Sequence, residues 1–281
     1  MAKQFYGIIG HPVNHSLSPA MQNAAFKACG IDAEYAVYDV EPQKLDGFLA
    51  SLADKGISGV NVTVPHKIKA KDYLEKHSAI DANAARLGAV NTIKVTDKGL
   101  SGHNTDWPGF YRSLIEELKF EPESRTVCVL GAGGAATAIV MYLGNCAAKL
   151  FVCDIDAKKT DGLKAHYARY FEGRKLEIIG QRALKDAIAK SDLLVNATPV
   201  GMKDDDPSPV DKSLLRAPLK VYDLVYNRPV TRLVKDAKAA KCDAVTGLGM
   251  LLYQGAIAFE LWTGLKAPVA VMRRALKESL V

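Results

Sequence analysis

The sequence predicts an α/β protein of two domains, and three observations carry that prediction. Strand-like apolar runs alternate with helix-like stretches along almost the whole chain, the mark of βα repetition. Midway, residues 126–154 place an apolar run, a glycine-rich turn, an apolar helix and a second apolar run that ends in an acid. The chain has 281 residues, 48% apolar and 24% charged, enough for two separate cores.

Taken in order, residues 5–9, 35–40, 59–64 and 89–95 read as short strands, with helices at 19–29, 43–54 and 68–76 between them. Pro108 stands near the start of a further helix, whose apolar residues Phe110, Leu114 and Leu118 recur at helical spacing and lead into the second half. A strand at 126–130 precedes the glycines. After Asp154, strands follow at 176–179, 193–196, 221–224 and 243–245. Residues 249–262 and 268–280 read as two helices with no strand left to pair with, and they are expected to return to the first domain. The acidic, proline-rich stretch at 202–209 reads as a mobile surface loop.

The central segment is a dinucleotide clamp. Gly131 permits the sharp turn from strand to helix, Gly133 lets the backbone approach a pyrophosphate, and Gly134 opens a helix whose free amides face the anion. Asp154 falls about 20 residues downstream, where such a motif places an acid against a ribose. The fold class is therefore an N-terminal α/β substrate domain plus a Rossmann-type dinucleotide-binding domain. The expected division gives residues 1–104 and 246–281 to the first and 105–245 to the second.

Composition narrows the function classes. A net charge of +6 is spread through the helices, not gathered into a stripe, which favours small anionic ligands over nucleic acid. No apolar run reaches the ~20 residues of a membrane span and the start lacks the apolar core of a signal peptide, so a cytoplasmic protein is expected. Five cysteines form no CxxC pair and read as core residues, and no spacing of His, Cys or acids suggests a metal site. Monomer and homodimer both remain open.

The first half holds four polar clusters at predicted strand ends and turns. Residues 15–19, HSLSP, put Ser16 and Ser18 before a helix whose N-terminus favours anions, although capping alone explains one of them. Residues 61–67, NVTVPHK, place Thr63 and Lys67 around a strand end, where α/β folds commonly hold ligands. GAVNT at 88–92 and GHNTDW at 102–107 add Asn91 and Asp106, for which turn chemistry is the competing explanation.

Together, in this order and spacing, GHPVNHSLSP, NVTVPHK, GAVNT, GHNTDW, GAGGA, NATPVGM, DLVYNRPVT and GLGMLLYQGA resemble the shikimate dehydrogenase family nearly end to end. The resemblance implies reduction of 3-dehydroshikimate to shikimate with a nicotinamide cofactor, on two α/β domains with a cleft between them. By matching motifs it assigns Ser16 and Ser18 to the substrate carboxylate, Thr63, Asn91, Asp106 and Gln254 to the ring oxygens, and Tyr226 to closing the site. Lys67 and Asp106 become the catalytic pair. Gly131, Ala132, Gly133, Gly134, Ala135, Asp154, Leu224 and Gly247 become the cofactor residues. The chemistry agrees: hydride transfer to a ketone builds negative charge on oxygen, which an ammonium both stabilises and protonates once a carboxylate has placed it.

Cofactor choice departs from the commonest pattern of that family, in which arginines flank the 2′-phosphate of NADP. Here the corresponding positions are Thr137 and Ile155, and Asp154 offers a carboxylate to both ribose hydroxyls. NAD is the favoured cofactor, with NADP as the alternative through Lys158 or Lys159. Family members that use NAD often oxidise quinate or shikimate, so that function is the second reading, with quinate a secondary substrate here because Ser16 and Ser18 match shikimate-selective members. A third, of another class, is a non-catalytic sensor of shikimate-like ligands; retention of Lys67 and Asp106 argues against it. His66 reads as a surface residue, His11, His15 and His103 as residues without a role, and Trp107 and Trp262 as packing.

Overall fold

The computed structural model describes residues 3–171 and 175–280. The first part of the chain runs β1 (Gln4–Gly10), α1 (Ser18–Ala28), β2 (Ala33–Asp39), α2 (Leu45–Ala50), β3 (Ile57–Val62), α3 (Lys67–His77), β4 (Ala79–Ile80), α4 (Ala82–Leu87), β5 (Thr92–Thr96) and β6 (Gly99–His103). It continues through α5 (Asp106–Glu116), β7 (Thr126–Leu130), α6 (Gly134–Leu143), β8 (Lys149–Cys153), α7 (Ala157–Ala168), β9 (Leu176–Ile178), α8 (Leu184–Ala189), β10 (Leu193–Asn196), β11 (Lys220–Asp223), α9 (Arg232–Ala239) and β12 (Ala244–Thr246). It ends in α10 (Leu248–Thr263) and α11 (Val269–Glu278).

The strands form two six-stranded sheets. The first has the order β2-β1-β3-β5-β6-β4; β1, β2 and β3 are parallel, whereas β5 runs antiparallel to both β3 and β6. The second is parallel throughout, in the order β12-β11-β10-β7-β8-β9. Counted from β7, that is the 3-2-1-4-5-6 order of the doubly wound dinucleotide fold, with its switch point between β7 and β10.

Parallel strands are covered on both faces, which is why their sequences are continuous apolar runs and not alternating ones. Val127, Val129, Leu150, Val152, Leu194 and Val195 are all fully buried, each worth roughly 1.5–3 kcal/mol of transfer free energy. A separate core around Ile9, Leu45, Leu49, Val60, Leu74 and Ile93 lies on the first sheet.

By contacts the chain divides into one unit up to Gly109 together with the residues from Leu252 onward, and a second unit, Phe110–Leu251. These divisions fall inside α5 and α10, some residues past the 104/105 and 245/246 positions expected from sequence, because both helices continue unbroken through them. Both C-terminal helices return to the first unit, where α11 packs on α1.

Local chemistry explains the element ends. Asp81 caps α4 by accepting from the Ala84 amide at 2.6 Å, and Gly88, at φ +69°, closes the same helix. Asp156 caps α7 and Thr231 caps α9. The sequence reading missed β4, α4 and β6. Strand β6 reads GLSGH, too polar and glycine-rich to look like a strand, and forms because β5 pairs with it in antiparallel register. The helix expected at 43–54 shortens to Leu45–Ala50, preceded by a tight Pro42–Lys44 turn. The 202–209 stretch is anchored by the Asp206 carboxylate, which accepts from the Gly201 and Lys203 amides, and by an Arg228–Asp204 ion pair of 3.0 Å.

Candidate active site

In the first unit, the end of β3 and the start of α5 bring two charged side chains together. Strand β3 ends at Val62, and the turn that follows is held by the Thr63 amide on the Ile9 carbonyl and the His66 amide on the Thr63 carbonyl. Lys67 is therefore the first residue of α3. Its Nζ donates to Asp106 Oδ2 at 2.7 Å, with the lysine side chain 27% and the aspartate 11% exposed. A charge-assisted bond in a partly desolvated setting is stronger than its surface equivalent.

Asp106 is fixed from behind. Its backbone amide donates to Asn104 Oδ1 at 3.0 Å, while its Oδ1 accepts from Asn91 Nδ2 at 2.9 Å. The Asn91 amide is itself clamped, its Nδ2 donating to Thr105 Oγ1 at 3.0 Å and its Oδ1 accepting from the Thr105 amide at 2.7 Å. Thr105 Oγ1 reaches Gln254 Oε1 at 3.4 Å. Lys67, Asp106, Asn91 and Gln254 thus form one connected polar cluster on the first unit, although they come from four different segments. Sequence reasoning missed Thr105, Thr92 and Asn61, which support this cluster from within. The available signal was the density of polar residues beside apolar strand runs in NVTVPHK, GAVNT and GHNTDW.

Ser16 Oγ accepts from the Ser18 amide at 3.2 Å, a local turn just before α1, whose N-cap residue Leu17 has no side-chain cap bond. Ser18 is 3% exposed and is hydrogen-bonded to the Tyr35 hydroxyl, which in turn donates to Asn61 Oδ1 at 2.7 Å. Burial pushes the Tyr35 phenol well above its ordinary range, so this hydroxyl stays neutral. Thr63 is half-buried in the turn leading to Lys67.

In the second unit the glycine turn has the form the sequence predicts. Gly131 lies at φ +100°, and a Cβ there would meet the Ala197 carbonyl oxygen at 2.9 Å. Gly133 precedes α6, and around Gly133 and Gly134 nothing lies within 4 Å of an added Cβ, so the backbone there is open to a close-lying group. A cavity of about 400 Å³ adjoins this turn, lined among others by Gly131, Gly133, Asp154, Lys159 and Thr198. Asp154 Oδ2 accepts from the Ala132 amide at 2.7 Å and its Oδ1 from the Asp156 amide at 2.9 Å, which aims the carboxylate at the cavity rim. Ala135 lies exposed in the first turn of α6, and Thr137 bonds back to the Gly133 carbonyl. Ile155 is 91% exposed. This cavity and turn fit a dinucleotide: open amides for a pyrophosphate and an acid for a ribose.

Leu224 and Gly247 face each other at the ends of β11 and β12, so closely that a side chain on Gly247 would collide with the Leu224 carbonyl. Tyr226 follows β11 in the second unit and is 38% exposed. His66 corrects the sequence reading: it is fully buried, with Nε2 2.6 Å from the Val40 carbonyl oxygen, because the turn folds it under the sheet end while Lys67 points away. His11 and His103 each have a carboxylate partner that sequence did not reveal, Asp39 at 2.6 Å and Asp81 at 2.9 Å. Trp262 packs on Tyr6 and donates to the Ile93 carbonyl at 3.0 Å. Among the described residues, no helix is long and apolar enough to cross a membrane.

Two family descriptions match the chain: shikimate dehydrogenase substrate binding domain over residues 8–93, and shikimate 5′-dehydrogenase C-terminal domain over residues 247–277. A shikimate dehydrogenase (NADP(+)) of Methanopyrus kandleri is 45% identical over 98% of this chain and 95% of its own length. A crystal structure of a shikimate dehydrogenase in complex with NADP⁺ superposes with a TM-score of 0.92 at 36% identity, covering 99% of this chain and 96% of that one. Another, of shikimate 5-dehydrogenase from Listeria monocytogenes in complex with shikimate and NAD, gives a TM-score of 0.88 at 32% identity, covering 97% and 96%.

Proposed function

The chain belongs to the shikimate dehydrogenase family, and from that premise we propose that it catalyses the reversible, nicotinamide-dependent reduction of 3-dehydroshikimate to shikimate. The observation that carries the reading is the Lys67–Asp106 pair at 2.7 Å, braced by Asn91. The first unit is assigned to the substrate and the second to the dinucleotide.

A bound nicotinamide cofactor supplies or accepts the hydride; the chain's own residues manage charge and orientation. During reduction, negative charge grows on the ketone oxygen, and the Lys67 ammonium is assigned to stabilise it and deliver the proton from Nζ. Asp106 holds that ammonium through Oδ2 and orients the neighbouring hydroxyl, while Asn91 keeps its Oδ1 from rotating. Ser16 and Ser18 are assigned to the substrate carboxylate, Thr63 and Gln254 to ring hydroxyls, and Tyr226 to closing the site. In the second unit, Gly131, Ala132, Gly133, Gly134 and Ala135 would hold the pyrophosphate, Asp154 a ribose, and Leu224 and Gly247 the nicotinamide end.

For the cofactor we favour NAD. Asp154 presents a negative charge at the cavity rim, and neither position 137 nor 155 carries an arginine. The relatives named for NADP⁺ support the alternative, and so does Lys159, which lines the same cavity. Initial rates of shikimate oxidation with NAD and NADP in parallel, and with quinate as second substrate, test all of this. Shikimate turnover with NAD ahead of NADP is expected. The reverse order would assign the ribose site to Lys159, faster quinate turnover would make the chain an oxidative quinate dehydrogenase, and shikimate binding without turnover would leave a sensor.

A further inference from the structure

Asp223 is the last residue of β11 and is fully buried. Burial pushes its carboxyl above the ordinary range even though three donors surround it. Its Oδ1 accepts from Asn196 Nδ2 at 2.9 Å and from the Val225 amide at 3.2 Å, and its Oδ2 accepts from Thr231 Oγ1 at 2.6 Å. Burying an ionisable group costs desolvation free energy whatever its role, so its retention here points to a use of its geometry.

Its partners show what that is. With one amide hydrogen on Asp223, Asn196 can present its amide in only one sense: Nδ2 also donates to the Val200 carbonyl at 3.0 Å, while Oδ1 accepts from the Thr198 amide at 3.1 Å and its hydroxyl at 2.7 Å. Thr198 and Val200 line the cavity beside the glycine turn. The second branch, through the Val225 amide, sets the turn at Leu224 and Val225, and the Gly247 amide donates to the Val225 carbonyl at 3.1 Å. The third, through Thr231, holds the residue that caps α9.

We propose that Asp223 is the positioning residue of the dinucleotide site: one buried carboxylate sets both the Thr198–Val200 wall and the Leu224–Gly247 turn. It touches neither substrate nor cofactor and acts through Asn196 and the Val225 amide. Alanine removes both acceptor oxygens, so the Asn196 amide loses its fixed sense and the Val225 N–H its acceptor, whereas asparagine can keep Oδ1 on both and donate its NH₂ to the Thr231 hydroxyl. The proposal rests on the reading that the second unit binds a nicotinamide dinucleotide.

The test measures two affinities on the full chain: NADH and NADPH by fluorescence titration, and shikimate alone by calorimetry. Asp223→Ala is expected to weaken dinucleotide binding by roughly 10-fold or more while shikimate affinity stays within about twofold, and Asp223→Asn to recover most of the dinucleotide affinity. A folding defect of the whole chain would lower both, and one confined to the second unit would show as a lower-temperature unfolding transition, so affinities are compared where circular dichroism finds the variant fully folded. Should Asp223→Ala fail to fold, Asn196→Ala removes the branch to the Thr198–Val200 wall, leaves Asp223 its Thr231 and Val225 donors, and is expected to weaken the dinucleotide selectively. Unchanged dinucleotide affinity in a folded alanine variant overturns the proposal. Wild-type protein that binds shikimate but neither dinucleotide overturns the underlying reading, and this inference with it.

Discussion

Lys67 and Asp106 are 39 residues apart in sequence, and Nζ of one donates to Oδ2 of the other at 2.7 Å. Neither depends on the other's local structure: Lys67 begins α3 after a turn anchored on β1, and Asp106 begins α5 after β6. If this pair performs the proton transfer, Lys67→Ala is expected to lower kcat by ~100-fold or more with a smaller change in KM. Asp106→Asn, which keeps the shape but removes the charge, is expected to lower kcat by a similar order. Steady-state kinetics of shikimate oxidation decide; an unchanged kcat with a raised KM would make Lys67 a binding residue only.

Asn91 is the hub behind that pair. Removing its amide leaves the Thr105 N–H without its acceptor and frees Asp106 Oδ1, both in a buried setting. Asn91→Ala is therefore expected to cost about 1–3 kcal/mol of stability, read by chemical denaturation. Activity at a temperature where the variant is folded should fall by about tenfold, since Asp106 loses orientation but keeps its charge.

At the cofactor cavity, charge determines preference. Asp154→Asn is expected to shift the ratio of kcat/KM for NADP over NAD upward by about tenfold, because a carboxylate no longer faces the 2′-phosphate. Lys159→Ala should move the same ratio the other way. An Asp154→Asn ratio equal to that of wild type would mean the carboxylate, held by the Ala132 and Asp156 amides, points away from the ribose.

Acid should loosen the edge of the first sheet. Burial alone would raise the Asp81 carboxyl, but the hydrogen bond from His103 and the Ala84 amide outweigh it and lower it below the usual 3.8. A depressed folded-state value means the contribution is present above the unfolded value and is lost as pH falls through the folded one. Asp81→Asn keeps an oxygen to cap α4 but loses the charge facing His103, and is expected to lower stability by about 1 kcal/mol or less near neutrality. The gap in melting temperature between wild type and variant should then close as pH falls below about 3.8. A gap independent of pH would mean that the Asp81 charge contributes nothing to stability.

By itself the sequence determined the βα alternation, the glycine turn at 131–134 and the buried strands around it, because these are local. A turn at φ +100° needs a glycine where it occurs, and a strand covered on both faces needs consecutive apolar residues. It also marked Lys67, Asn91 and Asp106, whose surrounding motifs are contiguous. Tertiary structure alone decided which groups meet. Strand β6 exists only through its partner β5, His66 is buried by the same turn that turns Lys67 outward, and His103 finds Asp81 only across the pairing of β4 with β6. The Asp223 network depends likewise on β10 and β11 lying side by side in one register, with Asn196 opposite Asp223. Hydrogen bonds between distant segments follow from strand order and register, quantities no window of sequence contains, whereas periodicity and turn chemistry are written within a few residues.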